Sequence, residues 1–351
     1  MLGILIAGCA RSIKPFEDIV PASQDITVNL KADPENEIKI LYVTCGMLII
    51  QKGEHGFLFD PYFSYQKMMA VPFALRTRKR FYEDFQKRMD ATIDKRSISK
   101  GFVSHSHYDH LMDLPVLLSD HYFPNLKTIY GNEFVPAMMY HHQDRGAEIK
   151  SLTDDQVYNP LNKNDTLYSW IPISDAIHVL PIASMHAAHQ FGVLAMSGKL
   201  NAKYFRKEKF KDPYARSKGF KWDGGCNYSF MVKFKNPDGS DFKLFIQTSG
   251  SNAPYGLPPN KEKADMAILC AASMQEVKDY PNYLVRELEA KKLILVHWED
   301  FFRYPKNEDD VKMVRGTRQK LVQSRLKAIK ESALKTEIIM PRPGTLITVK
   351  Y

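Results

Sequence analysis

Gly101-Phe102-Val103-Ser104-His105-Ser106-His107-Tyr108-Asp109-His110 puts four potential metal ligands into six residues, directly after an apolar run ending in Phe102-Val103. Three imidazoles and a carboxylate held this close repel one another once charged. They also compete for the same hydrogen-bond partners. A divalent cation removes both problems. Imidazole with carboxylate suits zinc first, with iron or manganese as alternatives.

Working outward, the same arrangement of strand end followed by polar group recurs. Upstream, Gly56-Phe57-Leu58-Phe59 runs into Asp60-Pro61-Tyr62-Phe63-Ser64. Downstream, residues 177–184 read as a strand, and Met185-His186-Ala187-Ala188-His189 follows. Near the C-terminus, Lys292-Leu293-Ile294-Leu295-Val296 has a buried-strand pattern and leads into His297-Trp298-Glu299-Asp300-Phe301.

In this order, the motifs resemble those of the metallo-β-lactamase superfamily. The Asp-Pro-x-Phe-Ser and His-Trp forms resemble one branch of it, which includes N-acylphosphatidylethanolamine phospholipase D-like and ascorbate-6-phosphate lactonase-like enzymes. The resemblance runs from about residue 38 to residue 351. It implies an α/β fold, an αββα sandwich, with one or two divalent ions, zinc first. By position, His105 and His107 would face a first metal, and Asp109 and His110 a second. His186 or His189 would complete the first set. His186 lies nearer the strand end, which leaves His189 as a substrate contact or a surface residue. His297 would complete the second set. Asp60 would stand behind a ligand histidine, accepting its ring N–H and raising its basicity. Agreement of motif order with strand ends is stronger than any single motif.

One position departs from the family pattern. The resemblance implies a carboxylate bridging both metals at the end of the strand 242–246. There the chain reads Gln247-Thr248-Ser249-Gly250, with Thr248 in the bridging place. A neutral hydroxyl bridges hard cations poorly. A single metal, a weakly held second one, or a carboxylate supplied from elsewhere (Asp265 is a candidate) are the alternatives. A scaffold that has lost its chemistry is a fourth. Thr248 is also kept as a candidate substrate contact.

Composition fits a globular chain. The 351 residues are 44% hydrophobic and 25% charged, with a formal net charge of +9. The first ten residues, Met1-Leu2-Gly3-Ile4-Leu5-Ile6-Ala7-Gly8-Cys9-Ala10, resemble a bacterial lipobox with Cys9 as the lipidated residue, although no basic stretch precedes it. This predicts a signal and tether over 1–36, a hydrolase domain over 37–351, and a lipid-anchored chain at the bacterial cell envelope. Cys45, Cys226 and Cys270 are too few and unevenly numbered for a disulfide framework.

Strands are expected at 38–44, 47–51, 57–59, 127–130, 228–234, 242–246, 266–270, 292–296 and 345–349. Phe81, Phe85, Met89 and Ile93 recur every four residues and predict a helix over 80–94. Further helices are expected at 114–118, 133–140 (capped by Asn132), 282–290 and 311–331. Insertions near 65–100 and 200–222 interleave aromatics with cations, including Arg206 and Lys207, which are candidate contacts for phosphate groups.

These features predict metal-assisted hydrolysis with Asp109 orienting water and handling its proton. The first substrate class is a phosphodiester, including a phospholipid. A lactone or other cyclic ester is the second. A non-catalytic metal-containing binding lipoprotein is the alternative outside enzymes. Nucleic acid is not expected as a partner; a small molecule or lipid is.

Overall fold

Alternation of inward and outward side chains, interrupted by a few register shifts, sorts the strands into two packed sheets. The computed structural model describes residues 11–32, 34–162, 168–188, 196, 199–272, 274–307 and 310–351. One sheet contains β1 (Asp25–Asn29), β2 (Glu37–Thr44), β3 (Met47–Lys52), β4 (His55–Phe59), β5 (Ile98–Phe102), β6 (Thr128–Gly131) and β7 (Glu148–Ser151). The other contains β8 (Ile171–Ser174), β9 (Ile177–Ser184), β10 (Asn227–Lys235), β11 (Asp241–Gln247), β12 (Met266–Cys270), β13 (Lys292–Val296) and β14 (Glu337–Ile339). A last strand, β15 (Thr345–Lys350), returns to the first sheet. The spatial orders are β1-β15-β2-β3-β4-β5-β6-β7 and β14-β13-β12-β11-β10-β9-β8.

Ile38, Ile40 and Tyr42 of β2, and Phe57 and Phe59 of β4, enter the layer between the sheets. There they meet Phe230, Val232 and Phe234 of β10 and Ile294 and Val296 of β13. Their neighbours Leu41, Ile49 and Leu58 point outward instead. So do Met231, Leu293 and Leu295 on the other sheet. A period of two places alternate residues on opposite faces, so both faces of each sheet are apolar and both need covering. Burying a large apolar side chain contributes about 1.5–3 kcal/mol, so the middle layer and both outer layers each stabilise the fold.

Helices supply the outer layers. The first sheet is covered by α1 (Lys79–Asp90), α2 (Tyr108–Leu111), α3 (Leu114–Ser119), α4 (Val135–Met138) and α5 (Ala202–Phe205). The second is covered by α6 (Asn282–Leu288) and α7 (Gln319–Lys330). The result is the expected αββα sandwich. In α1 the four-residue spacing puts Phe81, Phe85 and Met89 on one buried face, as the periodicity predicts, although the helix stops at Asp90. No helix of the described residues is long and apolar enough to cross a membrane.

Two expectations need correction. Residues 11–36 are not a free tether: β1 pairs in parallel with β15, and Phe16, Ile19 and Val20 are buried against the second sheet's outer layer. These anchors are too short to give a periodic signal. The lipobox, with Cys9, lies outside the described residues. The C-terminal helix also begins at Gln319 rather than near 311. Val311 and Met313 are buried on alternate residues, Met313 bridges to Arg11 and Glu299, and Gly316 takes a φ of 77°. That is extended chain followed by a turn.

Candidate metal centre

Strand direction decides which loops meet. β4 and β5 are parallel, as are β11, β12 and β13. β9 is antiparallel to β10, which is antiparallel to β11, so β9 and β11 point the same way. The C-terminal ends of β5, β9 and β13 carry the histidines into the same corner of the sandwich.

His105, His107 and His186 each offer a ligand atom within 4.8 Å of the others, and Asp109, His110 and His297 do the same. The three rings of the first set stand at 4.7 Å from one another, centre to centre, on all three sides. His105 lies 3.9 Å from His110 by ring centres, so the two sets share a wall. His186 is thus placed in the first set. His189 lies outside the described residues.

Ring tautomers suit a cation. A carbonyl only accepts, so Met196 O at 3.1 Å fixes the proton of His107 on Nε2, and Ala187 O at 2.6 Å fixes that of His186 on Nδ1. His110 donates from Nδ1 to Asp60 at 2.8 Å. In the neutral form each ring then has its other nitrogen as the acceptor, as a metal ligand requires. His105 Nε2 is buried and finds no hydrogen-bond partner among the described residues. Burial, then the neighbouring imidazoles, hold the His105 pKa well below its usual value, so this ring is neutral. An orphaned buried nitrogen is costly unless something accepts its lone pair. Two sets of three N and O donors, one containing this orphan, fit divalent cations of the zinc, iron or manganese kind.

Asp109 Oδ2 lies 3.4 Å from His297 Nε2 and 3.9 Å from His110 Nε2. Burial would raise its pKa, but His110, His297 and His107 outweigh burial and hold it far below the usual carboxylate range. For His110, burial lowers the pKa, and Asp60 and Asp109 together reverse the sign and raise it.

Asp60 is the hub behind the ligands. It is fully buried. Its carboxylate accepts from Ser104 N at 2.7 Å, Ser104 Oγ at 2.8 Å, His110 Nδ1 at 2.8 Å and Thr248 Oγ1 at 2.7 Å. Thr248, in the bridging place by sequence, offers a neutral hydroxyl that donates to Asp60. It is buried, and its hydroxyl lies against Asp60 and, at 2.9 Å, beside Ser104 Oγ. Asp265 does not replace the bridge, because it is exposed at the opposite end of its strand and accepts from Lys243 N at 2.8 Å. Among the described residues Asp109 is the one carboxylate in either ligand set. Two cations bound together are thus poorly compensated. Thr248→Asp should raise affinity for a second equivalent at least about tenfold, while in the metal-free protein the new acid shares one proton with Asp60 and lowers stability by about 2 kcal/mol. Metal titration and denaturant unfolding of the variant check both.

The sequence reading missed several supports. Glu299 is buried beside the ligand loop. It accepts from Tyr42 Oη, from Thr44 Oγ1 at 2.7 Å and from Cys45 N at 2.5 Å. The Tyr42 oxygen in turn accepts from His297 N at 3.0 Å. His297, Asp60 and Cys45 all have positive φ, between 45° and 55°. Strain of this kind persists only where surrounding bonds over-determine the backbone, and the Glu299 and Asp60 networks do so. Asp113 fastens the Pro61–Ser64 stretch, accepting from Phe63 N at 2.6 Å, Ser64 N at 2.7 Å, Ser64 Oγ at 2.8 Å and Thr77 Oγ1. Burial against these donors pushes its carboxyl up to about 6.

Gly46 shows how close the chain comes. A Cβ there would lie 2.6 Å from Asp60 Oδ2 and 2.8 Å from His110 Nδ1. Gly46→Ala should cost about 1–3 kcal/mol by overpacking and weaken metal binding by displacing His110. Thermal unfolding with and without added zinc reads both effects.

The 200–222 insertion is rooted at the site. Gly224 N donates to Met196 O at 2.9 Å, and Ser106 N donates to Gly224 O at 2.9 Å, so the insertion leaves and returns beside His107. Arg206 and Lys207 are exposed and stack over Tyr140 and Tyr204, at 5.2 and 5.5 Å from the ring centres. Neither makes a hydrogen bond or ion pair to the ligand sets among the described residues.

His142 locks the insertion to the helical layer through Nε2, which donates to Phe210 O at 2.9 Å. Its Nδ1 is buried without a partner among the described residues. Burial, then the charge of Arg145, lower its pKa to about 4. The folded value lies below the unfolded one, so stability is full above about pH 6.5 and is lost as pH falls toward about 4. The loss is at most about 3 kcal/mol. His142→Gln keeps the donor and should flatten that part of the pH–stability curve relative to wild type.

No protein-family model matches the chain, and no curated protein does. Among solved structures, the chain is similar to the metallo-β-lactamase fold protein YhfI from Bacillus subtilis, at 12% identity and a TM-score of 0.47, over 90% of this chain and 99% of that one. It is also similar to Igni18, a metallo hydrolase from the archaeon Ignicoccus hospitalis, at 10% identity and a TM-score of 0.46, over 90% and 99% of the two chains. An isothiocyanate hydrolase from Delia radicum gut bacteria matches at 12% identity and a TM-score of 0.46, over 88% and 98%.

Proposed function

We propose that the chain is a metal-dependent hydrolase centred on His105, His107 and His186 with Asp109, His110 and His297. The observation that carries this reading is the meeting of two three-donor sets across one shared wall, with a buried imidazole nitrogen left for a cation. A divalent ion held by these residues would supply Lewis acidity for water activation and for polarising the scissile group. Asp109, the one carboxylate of the two sets, would orient water and pass on its proton. Asp60 and Glu299 keep the ligand loops in place. Loops and strand ends exclude water behind the ligands, where every residue from Ser104 to Tyr108 is buried.

As substrate class we propose a phosphodiester, including one carried by a phospholipid. The cationic insertion rooted at His107 supports it, since lysine and arginine pair with phosphate oxygens. A lactone is the second class, resting on the sequence resemblance alone. Lipidation at Cys9 and a place at the cell envelope belong to the same proposal. The test is turnover by purified, metal-loaded protein on phosphodiester, lactone and β-lactam substrates. Phosphodiester cleavage that disappears on chelation supports the proposal, and lactone cleavage alone moves it to the second class. A full metal complement with no turnover on any of them would make the chain a binding protein.

A further inference from the structure

The two insertions build a surface whose residues lie outside both ligand sets. They are tied together: Leu75 and Ser217 exchange backbone hydrogen bonds at 2.9 and 2.8 Å, and Gly219 N donates to Val71 O at 2.7 Å. Trp222 Nε1 donates to Ser217 Oγ at 3.0 Å, and the Tyr204 hydroxyl accepts from Lys218 N at 2.9 Å. Val71, Leu75, Tyr204, Phe205 and Trp222 are buried beneath. The surface is therefore a supported platform.

Above it lies an open basin of about 670 Å³, lined by Lys203, Lys207, Lys209, Arg216, Lys218 and Lys221. Among the described residues no carboxylate lines it. Among the described residues none of these six forms an ion pair, and the nearby Glu208 is paired with Lys211. Six like charges around one basin repel one another. For Lys209, burial, then Lys207 and Lys218, lower the pKa. An anionic partner would relieve this repulsion.

The basin also carries bare apolar groups. Phe73 and Phe220 line it at 58% and 48% exposure, and Met69, four residues before Phe73, is 74% exposed. Lys218 and Lys221 reach over the Phe220 ring, at 5.7 and 5.3 Å from its centre. Exposed rings among lysines match the boundary between lipid headgroups and acyl chains, where stems and rings bury and ammonium groups stay wet.

We propose that this basin docks on an anionic lipid bilayer, with its six cations taking headgroup phosphates and Phe73, Phe220 and Met69 entering the acyl boundary. Docking needs no turnover, so it stands or falls separately from the hydrolase reading.

Vesicle flotation tests it with the full chain carrying Cys9→Ser, so that no N-terminal lipid contributes. Binding to phosphatidylcholine vesicles containing phosphatidylglycerol, weakened by salt and absent with phosphatidylcholine alone, is the expected result. Lys203→Glu, Lys207→Glu and Lys218→Glu together should weaken it roughly a hundredfold. Phe73→Ser with Phe220→Ser should weaken it while leaving the salt dependence. Unchanged thermal unfolding of the variants shows that the fold survives. Equal binding to both vesicle types overturns the proposal, as does unchanged binding of the charge variants. Tight binding of single-stranded nucleic acid without vesicle binding would replace it with a nucleic-acid surface.

Discussion

Asp60→Ala is expected to cost the protein roughly 5 kcal/mol of stability and to abolish tight metal binding. The carboxylate is the common acceptor for four donors, two on Ser104 and one each on His110 and Thr248. Each buried donor left unpaired costs about 1–3 kcal/mol. Residue 60 also has a φ of 45°, a conformation that alanine adopts less readily than aspartate or asparagine. Asp60→Asn separates the contributions. Asparagine tolerates this backbone and retains one acceptor oxygen, so the variant should fold with a loss nearer about 2 kcal/mol. Its weaker acceptor no longer raises the basicity of His110, and affinity at the second ligand set should fall about 10–100-fold. Denaturant unfolding with parallel metal titration reads both quantities. Identical behaviour of the two variants would mean that Asp60 only fills space.

His105→Ala is expected to reduce hydrolysis about a thousandfold. A catalytic cation supplies several kcal/mol of transition-state stabilisation, and about 1.4 kcal/mol corresponds to a factor of ten. Chelation of wild type should give a comparable loss, and re-addition of metal should restore wild type alone. Stability discriminates further. In the metal-free protein, His105 is a buried imidazole whose Nε2 has no partner among the described residues. Its removal should leave metal-free stability unchanged or improved, while the stabilisation that added metal confers on wild type disappears. A variant destabilised equally with and without metal would mark His105 as ordinary packing.

Much of this was legible in the chain because strand ends announce themselves. Phe102-Val103 before His105, and Ile294-Leu295-Val296 before His297, are apolar runs that stop at a polar residue, and the ligands follow directly. The inward and outward pattern of β2, β4 and β10 likewise carries the double sheet. What was not legible depends on distant partners. Glu299 looks like any acid following a His-Trp pair until Tyr42, Thr44 and the Cys45 amide close around it. Thr248 occupies a bridging position in sequence, but its hydroxyl answers to Asp60, which lies 188 residues away. Residues 11–36 were misread because Phe16, Ile19 and Val20 dock individually, and β1 is a five-residue edge strand paired on one side. The start of α7 was misplaced because Val311 and Met313 continue an apolar pattern whose period is two, not 3.6.

The central claim is that these imidazoles hold a cation. Its most direct test is elemental analysis of the purified full chain after incubation with zinc, iron and manganese. Wild type is compared with His107→Ala/His186→Ala and with His110→Ala/His297→Ala. The account predicts about one tightly held equivalent in wild type and a second held more weakly, with each double variant losing capacity in its own set. A wild-type chain that stays metal-free, or variants that retain its full complement, would contradict it.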